Sequence, residues 1–367
     1  MNNESRNILI VTSEFPPQPG GIGNHAYNLA VSLSKEGFNV SVIADQRSDD
    51  GIEEKQFDTE LPFQVTRIKK RNVRLIMYVK RILKTKAQLK RASHVIATGK
   101  FSLWNVAFLS WFKSINTLAV IHGTEVNFKS FFLRKSINLS LKRFDTIVAV
   151  SNYTKSLVSD LNKEVHVIPN GINNENWQKP QDTLTKLIGS PSLTTVGRVS
   201  PRKGQLNVIK LLPELIKTYP QLHYHCVGIA TEADAIRSQA KALNVDSHIT
   251  FHGVLSHEAL QDVLNKTDIF VMLSSETNSG DVEGFGIAIL EANALGVPAI
   301  GALGSGIEDA IKPNCNGELI EVSSAEQFKI AVSKILSHKE DYQTQAENWA
   351  KEHDWSYIIK HYIALLK

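Results

Sequence analysis

Two glutamates, Glu283 and Glu291, lie eight residues apart in a segment that begins Glu-Gly-Phe-Gly and becomes an apolar run at Ile287. The glycine spacing predicts a loop that leads into a helix, and the free amides at a helix start bind anions. Glu291 would be a lone carboxylate on an apolar helix, where it could accept hydrogen bonds from sugar hydroxyls. The alternative is a surface loop and a helix whose glutamate faces solvent.

A basic loop with glycines near both ends precedes that pair. Gly197 and Arg198 open the loop, Lys203 and Gly204 close it, and the flanking patterns predict a strand before it and a helix after it. Arginine makes forked contacts to phosphate oxygens, whereas lysine supplies a mobile point charge. The loop therefore suits a diphosphate, although arginine and lysine in a loop can also be merely solvated.

A glycine-rich segment near the N-terminus contains Gly20, Gly21, Gly23 and Ala26, which match part of the dinucleotide-binding fingerprint, with Asp45 near the expected distance. Several residues separate this segment from the first predicted strand, whereas the fingerprint should follow its strand directly. We expect a longer loop whose amides approach a phosphate or an acceptor, and a dehydrogenase is the less favoured alternative.

His122 is placed at the end of a predicted strand, the edge at which open α/β sheets bind their ligands. A lone histidine can also be structural, but this position favours a role in the site.

The basic residues are unevenly distributed. Between Leu61 and Thr124 the chain has no acidic residue and 13 basic ones. Apolar residues interleave with the cations around Lys80–Lys90, and aromatic residues follow near Trp111. Such a basic amphipathic stretch favours an anionic membrane surface. Nucleic acid or a solvated helix face are the alternatives, and the nearby aromatic residues favour lipid.

The length of 367 residues favours two domains. Short apolar strands alternate with amphipathic helices twice along the chain, which predicts an α/β protein with two Rossmann-like parallel-sheet domains facing across a cleft. We predict an N-terminal domain over residues 1–177, a second domain over 178–345, and a C-terminal helix over 346–367 that packs back on either domain, the N-terminal one included.

The chain has two cysteines, and its N-terminus lacks the basic-then-apolar pattern of a secretory signal. No stretch approaches the roughly 18 apolar residues of a spanning helix. We therefore expect a protein of the reducing cytoplasm, peripheral on the inner face of the cytoplasmic membrane.

Taken together, these motifs resemble those of the retaining GT-B glycosyltransferases of family four, the bacterial mannosyl- and glucosyltransferase group. The Asp-Val-Glu-Gly-Phe-Gly wording at Asp281 is similar to the phosphatidylinositol mannosyltransferase branch. One departure follows Gly301, where the chain reads Ala-Leu-Gly-Ser-Gly and the family more often has Gly-Gly-x-Pro-Glu.

The resemblance implies a hexosyl transfer from a nucleotide diphosphate sugar, GDP-mannose before a UDP-hexose, to a lipid-linked or glycan acceptor. It also implies that the N-terminal domain binds the acceptor and that the second domain binds the nucleotide sugar. It implies no cofactor and no metal, since fixed cations replace a metal and no Asp-x-Asp occurs. The implied catalytic residues are His122, Arg198, Lys203 and Glu283. The implied donor-binding residues are Gly21, Gly197, Arg198, Lys203, Gly253, Val254, Phe285, Gly286, Ile287 and Glu291. The implied acceptor-side loop contains Gly20, Gly21 and Gly23.

A nucleotide-sugar epimerase of similar fold and a non-catalytic nucleotide-sugar-binding protein remain alternatives. The paired glutamates favour transfer over epimerisation, and the intact Arg198, Lys203, Glu283 and Glu291 argue against a protein without activity. The sugar, the base, the acceptor and the oligomeric state are not determined by the sequence.

Overall fold

The computed structural model of the protein describes residues 6–69, 74–112, 114–180 and 187–366. The chain forms two compact units, one of Met1–Gly171 with Trp355–Lys367 and the other of Ile172–Asp354. The first unit thus ends a few residues before the predicted boundary at 177, and its last segment begins at Trp355 instead of 346. The sequence around Trp177–Leu187 loses the strand and helix pattern and predicts an interdomain linker, which lies partly outside the described residues.

The first unit is built on a parallel sheet of seven strands in the order β3-β2-β1-β4-β5-β6-β7. Its strands are β1 Asn7–Thr12, β2 Asn39–Asp45, β3 Gln64–Ile68, β4 His94–Thr98, β5 Asn116–Ile121, β6 Thr146–Ala149 and β7 His166–Val167. Its helices are α1 Gly21–Lys35, α2 Ile52–Thr59, α3 Arg74–Leu89, α4 Lys100–Leu109, α5 Phe131–Leu141, α6 Asn152–Ser156 and the terminal α13 Trp355–Leu365.

The second unit repeats the scheme with six parallel strands in the order β10-β9-β8-β11-β12-β13. Its strands are β8 Ser192–Val196, β9 His223–Val227, β10 Ile249–Gly253, β11 Ile269–Met272, β12 Ala299–Ala302 and β13 Gly317–Ile320. Its helices are α7 Gln205–Thr218, α8 Ala233–Ala242, α9 His257–Asn265, α10 Ile287–Ala294, α11 Ala325–Ser337 and α12 Lys339–Glu352.

The central strands of both sheets are buried along almost their whole length because a parallel sheet is covered on both faces. The β1 residues Leu9 and Val11 and the β11 residues Phe270 and Val271 are fully buried. Each unit has its own apolar core, so each satisfies the definition of a domain. The predicted α/β class with two parallel-sheet domains is confirmed.

Two local predictions need correction. The segment predicted as one helix over 346–367 is two helices, α12 and α13, which are separated at His353 and Asp354. The earlier helix belongs to the second unit, and α13 packs on α1 in the first. The acid-free stretch also contains a strand, β3, that its mixed polar sequence did not indicate.

No helix in the described ranges is long and apolar enough to cross a membrane.

Candidate functional site

The basic loop of the second unit follows β8 and passes through a short turn, Pro201–Lys203, before α7 begins. Gly204 ends this turn with φ +78°, and a Cβ on it would lie 1.9 Å from the carbonyl oxygen of Leu273 after β11. Only glycine permits so close an approach of two backbones. The loop is therefore fixed against the carboxyl end of β11, next to the segment that leads to Glu283.

Glu283 is held by two cations of that loop. Its Oε2 lies 2.8 Å from Nζ of Lys203 and also pairs with Nη1 of Arg202. Lys203 and Glu283 are 80 positions apart in the chain. They meet because they follow β8 and β11, which are neighbours in the sheet. The sequence predicts Arg198 and Lys203 as the functional cations of this loop but not Arg202, whose pairing with Glu283 depends on the neighbouring positions of β8 and β11.

The charge of Glu283 is maintained by these partners. Burial alone would raise its pKa, but the charges of Lys203 and Arg202 and a hydrogen bond from the Gly286 amide hold the pKa below its ordinary value. The carbonyl oxygen of Glu283 accepts a hydrogen bond from the Gly306 amide at 3.0 Å. The segment after Gly301, whose sequence departs from the family pattern, thus holds the backbone of Glu283 through a hydrogen bond.

Glu291 lies on the second turn of α10, and Gly286 precedes that helix with φ +90°. Burial raises the pKa of Glu291 to about 7, an effect that the charges of Lys203 and His257 only partly oppose. Its carboxylate forms no hydrogen bond or ion pair with any described residue. Glu291 is therefore a half-buried acid whose carboxylate oxygens accept no hydrogen bond from the described chain.

The remaining predicted donor-binding residues differ in exposure. The side chain of Arg198 is exposed and unpaired within the described chain, and the Val254 side chain is also exposed. Gly253 has φ +72° with open space at its Cβ position. Phe285 is buried, and Ile287 is partly exposed at the start of α10, where its backbone amide is one of those that precede the first helical hydrogen bonds.

In the first unit, the predicted glycine loop leads directly into α1, which begins at Gly21. No side chain caps this helix start. A Cβ on Gly20 would meet the Glu14 carboxylate at 2.3 Å, and one on Gly23 would lie 3.1 Å from the Phe15 amide nitrogen, whereas Gly21 has open space around it. The backbone of Glu14 and Phe15 thus crowds position 23, whereas at position 20 only the mobile end of the Glu14 side chain is close, and the described chain does not explain the glycine at 21.

His122 follows β5 immediately, and its Nε2 lies 2.9 Å from the hydroxyl oxygen of Thr98 at the end of β4. Burial lowers the pKa of His122 to about 3, so the ring is neutral near pH 7. Glu125 accepts a hydrogen bond from the His122 amide, and burial raises the pKa of this carboxyl to about 7. The turn after β5 is therefore fixed by Glu125, and the imidazole is anchored to Thr98.

Asp45 does not occupy a ribose-binding arrangement. Its carboxylate pairs with Arg81, whose guanidinium is 2% exposed and lies 4.4 Å from the Phe101 ring centroid. This engagement argues against the dehydrogenase alternative. The prediction that Arg81 contributes to a charged surface is wrong, because it lies on the face of α3 that turns inward with Thr85 and Leu89.

No group of three or more histidine, cysteine, aspartate or glutamate side chains in the described ranges is arranged to hold a metal ion.

Glu291→Gln is expected to stabilise the protein above pH 7 by a few degrees in Tm and to have little effect below pH 4.5. Because the folded-state pKa of this acid is raised, stability falls as pH rises from the ordinary value of 4.5 through about 7. Melting curves from pH 4.5 to 8 measure this, with the exposed Glu232→Gln of the same unit as control. An identical pH profile for wild type and Glu291→Gln would contradict the raised pKa.

Both halves of the chain match known family models. Residues 183–352 match the model of the glycosyl transferases group 1, and residues 19–176 match that of Glycosyltransferase Family 4.

Individual relatives are distant but extend over most of the chain. The GDP-mannose-dependent monoacylated alpha-(1-6)-phosphatidylinositol monomannoside mannosyltransferase of Corynebacterium glutamicum is 26% identical, covering 90% of this chain and 89% of that protein. The glycogen synthase of Mycobacterium tuberculosis is 23% identical, with 96% and 92% covered. The crystal structure of Anabaena HepE with UDP and glucose aligns with a TM-score of 0.79 at 18% identity, covering 98% of this chain and 99% of that one. At that identity the structural match shows a shared fold.

Proposed function

Since the chain belongs to the family-four glycosyltransferases of GT-B fold and is a nucleotide-sugar-dependent hexosyltransferase, we propose that it moves mannose from GDP-mannose to a lipid-linked acceptor at an anionic membrane surface. The anomeric configuration is retained, as is general in the family. The observation that carries the proposal is the cation pair on Glu283 beside the unpaired carboxylate of Glu291.

The charges of this group match those of the donor. Arg198, Arg202 and Lys203 supply three positive charges, against the one negative charge of Glu283 and the partial negative charge of Glu291, so the group is net positive. A diphosphate esterified at both ends carries two negative charges at neutral pH. We propose that Arg198 and Lys203 hold this diphosphate, while Glu291 accepts hydrogen bonds from the ribose hydroxyls with the oxygens that the protein leaves unpaired.

The reaction breaks the bond between the anomeric carbon and the diphosphate oxygen and forms one between that carbon and an acceptor hydroxyl oxygen, whose proton passes to the departing diphosphate. Negative charge grows on the departing diphosphate, and fixed cations aimed at developing charge lower a barrier more than any other single contribution. Glu283 and the amides around Gly286 contact the transferred sugar in this proposal, and neutral His122 contacts it near the reacting carbon. Because fixed cations meet the developing charge, the transfer proceeds without a metal or cofactor.

The choice of GDP-mannose rests on the Corynebacterium relative, which is a GDP-mannose-dependent enzyme. The experiment compares GDP-mannose, UDP-glucose, UDP-N-acetylglucosamine and UDP-galactose, first for thermal stabilisation and then for nucleoside diphosphate release in the presence of EDTA. We expect release from GDP-mannose only when a phosphatidylinositol-type acceptor is added. Conversion of a donor without acceptor would identify an epimerase, and loss of turnover in EDTA that magnesium restores would refute the metal-free mechanism.

The proposed membrane contact is a surface of the first unit formed by α3, α4 and α5, here called the apolar-basic face. Helix α4 packs on both of the others. Apolar side chains that would normally be buried are exposed here: Leu75, Ile76, Val79, Leu83, Phe108, Trp111, Phe112, Phe131, Phe132 and Leu133. Exposed cations on the same helices include Lys80, Lys84, Lys86 and Lys135. Contiguous exposed apolar area with basic residues suits an anionic bilayer surface.

Replacing Lys80, Lys84 and Lys86 together with glutamate is expected to weaken binding to anionic vesicles by at least about 10²-fold, since each lost cation contributes about 1 kcal/mol at such a surface and each glutamate adds repulsion. Sedimentation with vesicles at low salt measures it. The matched control changes three exposed lysines of the second unit, Lys210, Lys241 and Lys351, to glutamate and keeps the same total charge. Equal loss in both triple variants, or no sedimentation of wild type, would refute the contact and with it the proposed location on the inner membrane face.

A further inference from the structure

His122 contacts one member of a cluster of buried aromatic side chains within the first unit. His25 of α1 presents its ring to that of His122 at a centroid distance of 4.8 Å and an interplanar angle of 77°. His25 is itself held from α13, because its Nε2 lies 3.0 Å from the hydroxyl oxygen of Tyr362. The ring of Trp355 packs on His25 at 5.3 Å. His25, Tyr362 and Trp355 are all buried.

His122 is thereby constrained from two sides. Thr98 fixes Nε2 through a hydrogen bond, and the His25 ring lies against the imidazole in the edge-to-face arrangement that aromatic pairs prefer. The other ring nitrogen, Nδ1, forms no hydrogen bond with the described chain. One nitrogen of His122 is therefore committed to the protein, and the other remains available to a substrate.

Packing alone does not account for a histidine at position 25. Its Nδ1 is buried without a hydrogen-bond partner, and leaving such a group unsatisfied costs about 1–3 kcal/mol. An apolar side chain of similar size would fill the space without that cost. The other ring nitrogen of His25, Nε2, is hydrogen-bonded to Tyr362. This bond links the His25 ring, which contacts His122, to α13.

We propose that His25 and Tyr362 are positioning residues for His122: Tyr362 fixes the His25 ring, and that ring fixes the plane of the His122 imidazole. The inference rests on the proposed function, in which His122 contacts the transferred sugar. Burial lowers the pKa of both histidines, so two neutral rings can stay in contact without repulsion.

The expected effect follows from the precision that catalysis needs, because a group misplaced by about 1 Å can cost 10²-fold in rate. Tyr362→Phe removes one hydroxyl and leaves the ring, and His25→Ala removes the contact to His122. We expect each variant to lower kcat roughly tenfold while the KM for the donor changes less than about twofold. Tyr357→Phe is the matched control, since Tyr357 lies on the same helix with its side chain exposed.

A double-mutant cycle separates positioning from structural support. If His25 acts through His122, His25→Ala should have almost no further effect on the residual rate of His122→Ala. A tenfold fall in both backgrounds would show a structural role and overturn the proposal, as would no fall in either. Tyr362→Phe is run through the same cycle, so the test stands if His25→Ala fails to fold.

A spectroscopic readout distinguishes failure of this inference from failure of the proposed function. If wild type transfers no sugar from any of the four donors, the proposed function is wrong, and positioning is judged from NMR of histidine rings labelled with ¹³C. The signal that His122→Ala removes should shift in Tyr362→Phe and stay in place in Tyr357→Phe. An unmoved signal in Tyr362→Phe would overturn the proposal whatever the activity.

Discussion

Lys203→Ala is expected to lower kcat on the order of 10²-fold or more, with a smaller change in the KM for the donor. Its ammonium lies 2.8 Å from the Glu283 carboxylate, at the loop proposed to hold the leaving diphosphate. A cation that meets charge developing in the transition state affects kcat more than ground-state binding. Steady-state kinetics with the donor identified by the screen measure the effect.

Arg198→Ala is expected to behave in the same way, because its exposed guanidinium is the loop cation that no described residue neutralises. Lys210→Ala is the matched control, an exposed lysine on the helix that follows the loop. Near wild-type turnover in both Lys203→Ala and Arg198→Ala would show that the loop does not stabilise the leaving group. A loss that the Lys210→Ala control shares would indicate a general effect of charge.

Gly204→Ala is expected to destabilise the protein by about 3 kcal/mol or more, which lowers Tm by roughly 10 °C in a unit of this size. Two costs combine. The φ of +78° disfavours any L-residue with a side chain, and the new Cβ would lie 1.9 Å from the carbonyl oxygen of Leu273. Since neither backbone can yield cheaply, the loop that carries Lys203 must shift, and activity falls with stability.

Gly253→Ala separates the two costs. Gly253 also has a positive φ, +72°, but nothing lies within 4 Å of its Cβ position. We expect it to lose only about 1 kcal/mol, the cost of the backbone conformation alone. Urea denaturation of both variants gives the comparison, and equal destabilisation would show that the approach to Leu273 is not what makes glycine necessary at position 204.

Local sequence patterns are enough to predict the fold class of this protein. The alternation of short strands and amphipathic helices was predicted, and β8 and α7 are one such pair, because burial of a parallel sheet on both faces leaves a period that is readable in sequence. Strand β3 was missed because an edge strand is only partly buried and carries polar side chains.

The candidate site was predicted in part for the same reason. The loop at Gly197–Gly204 and the segment from Glu283 to Glu291 each have a local signature, since glycine spacing and a helix start are short-range features. That Arg202 joins Lys203 on Glu283 was not readable, because it depends on the neighbouring positions of β8 and β11 in the sheet.

Helix α3 shows that periodicity in the sequence does not predict which face of a helix is buried. Its cations looked alike in sequence, yet Arg81 is buried on Asp45 while Lys80 beside it is exposed, and the apolar Leu75, Val79 and Leu83 are exposed as well. Periodicity predicts two faces of a helix but does not say which one turns inward when neither is purely polar.

The sequence by itself thus determined two parallel-sheet domains, the basic loop and the paired glutamates, because strand burial, glycine spacing and helix starts are properties of adjacent residues. Only the tertiary structure decided what those residues touch. His25 and Tyr362 are 337 positions apart and meet because the chain completes the second unit and then returns to the first. No local period encodes such a contact, since it arises from the path of the whole chain.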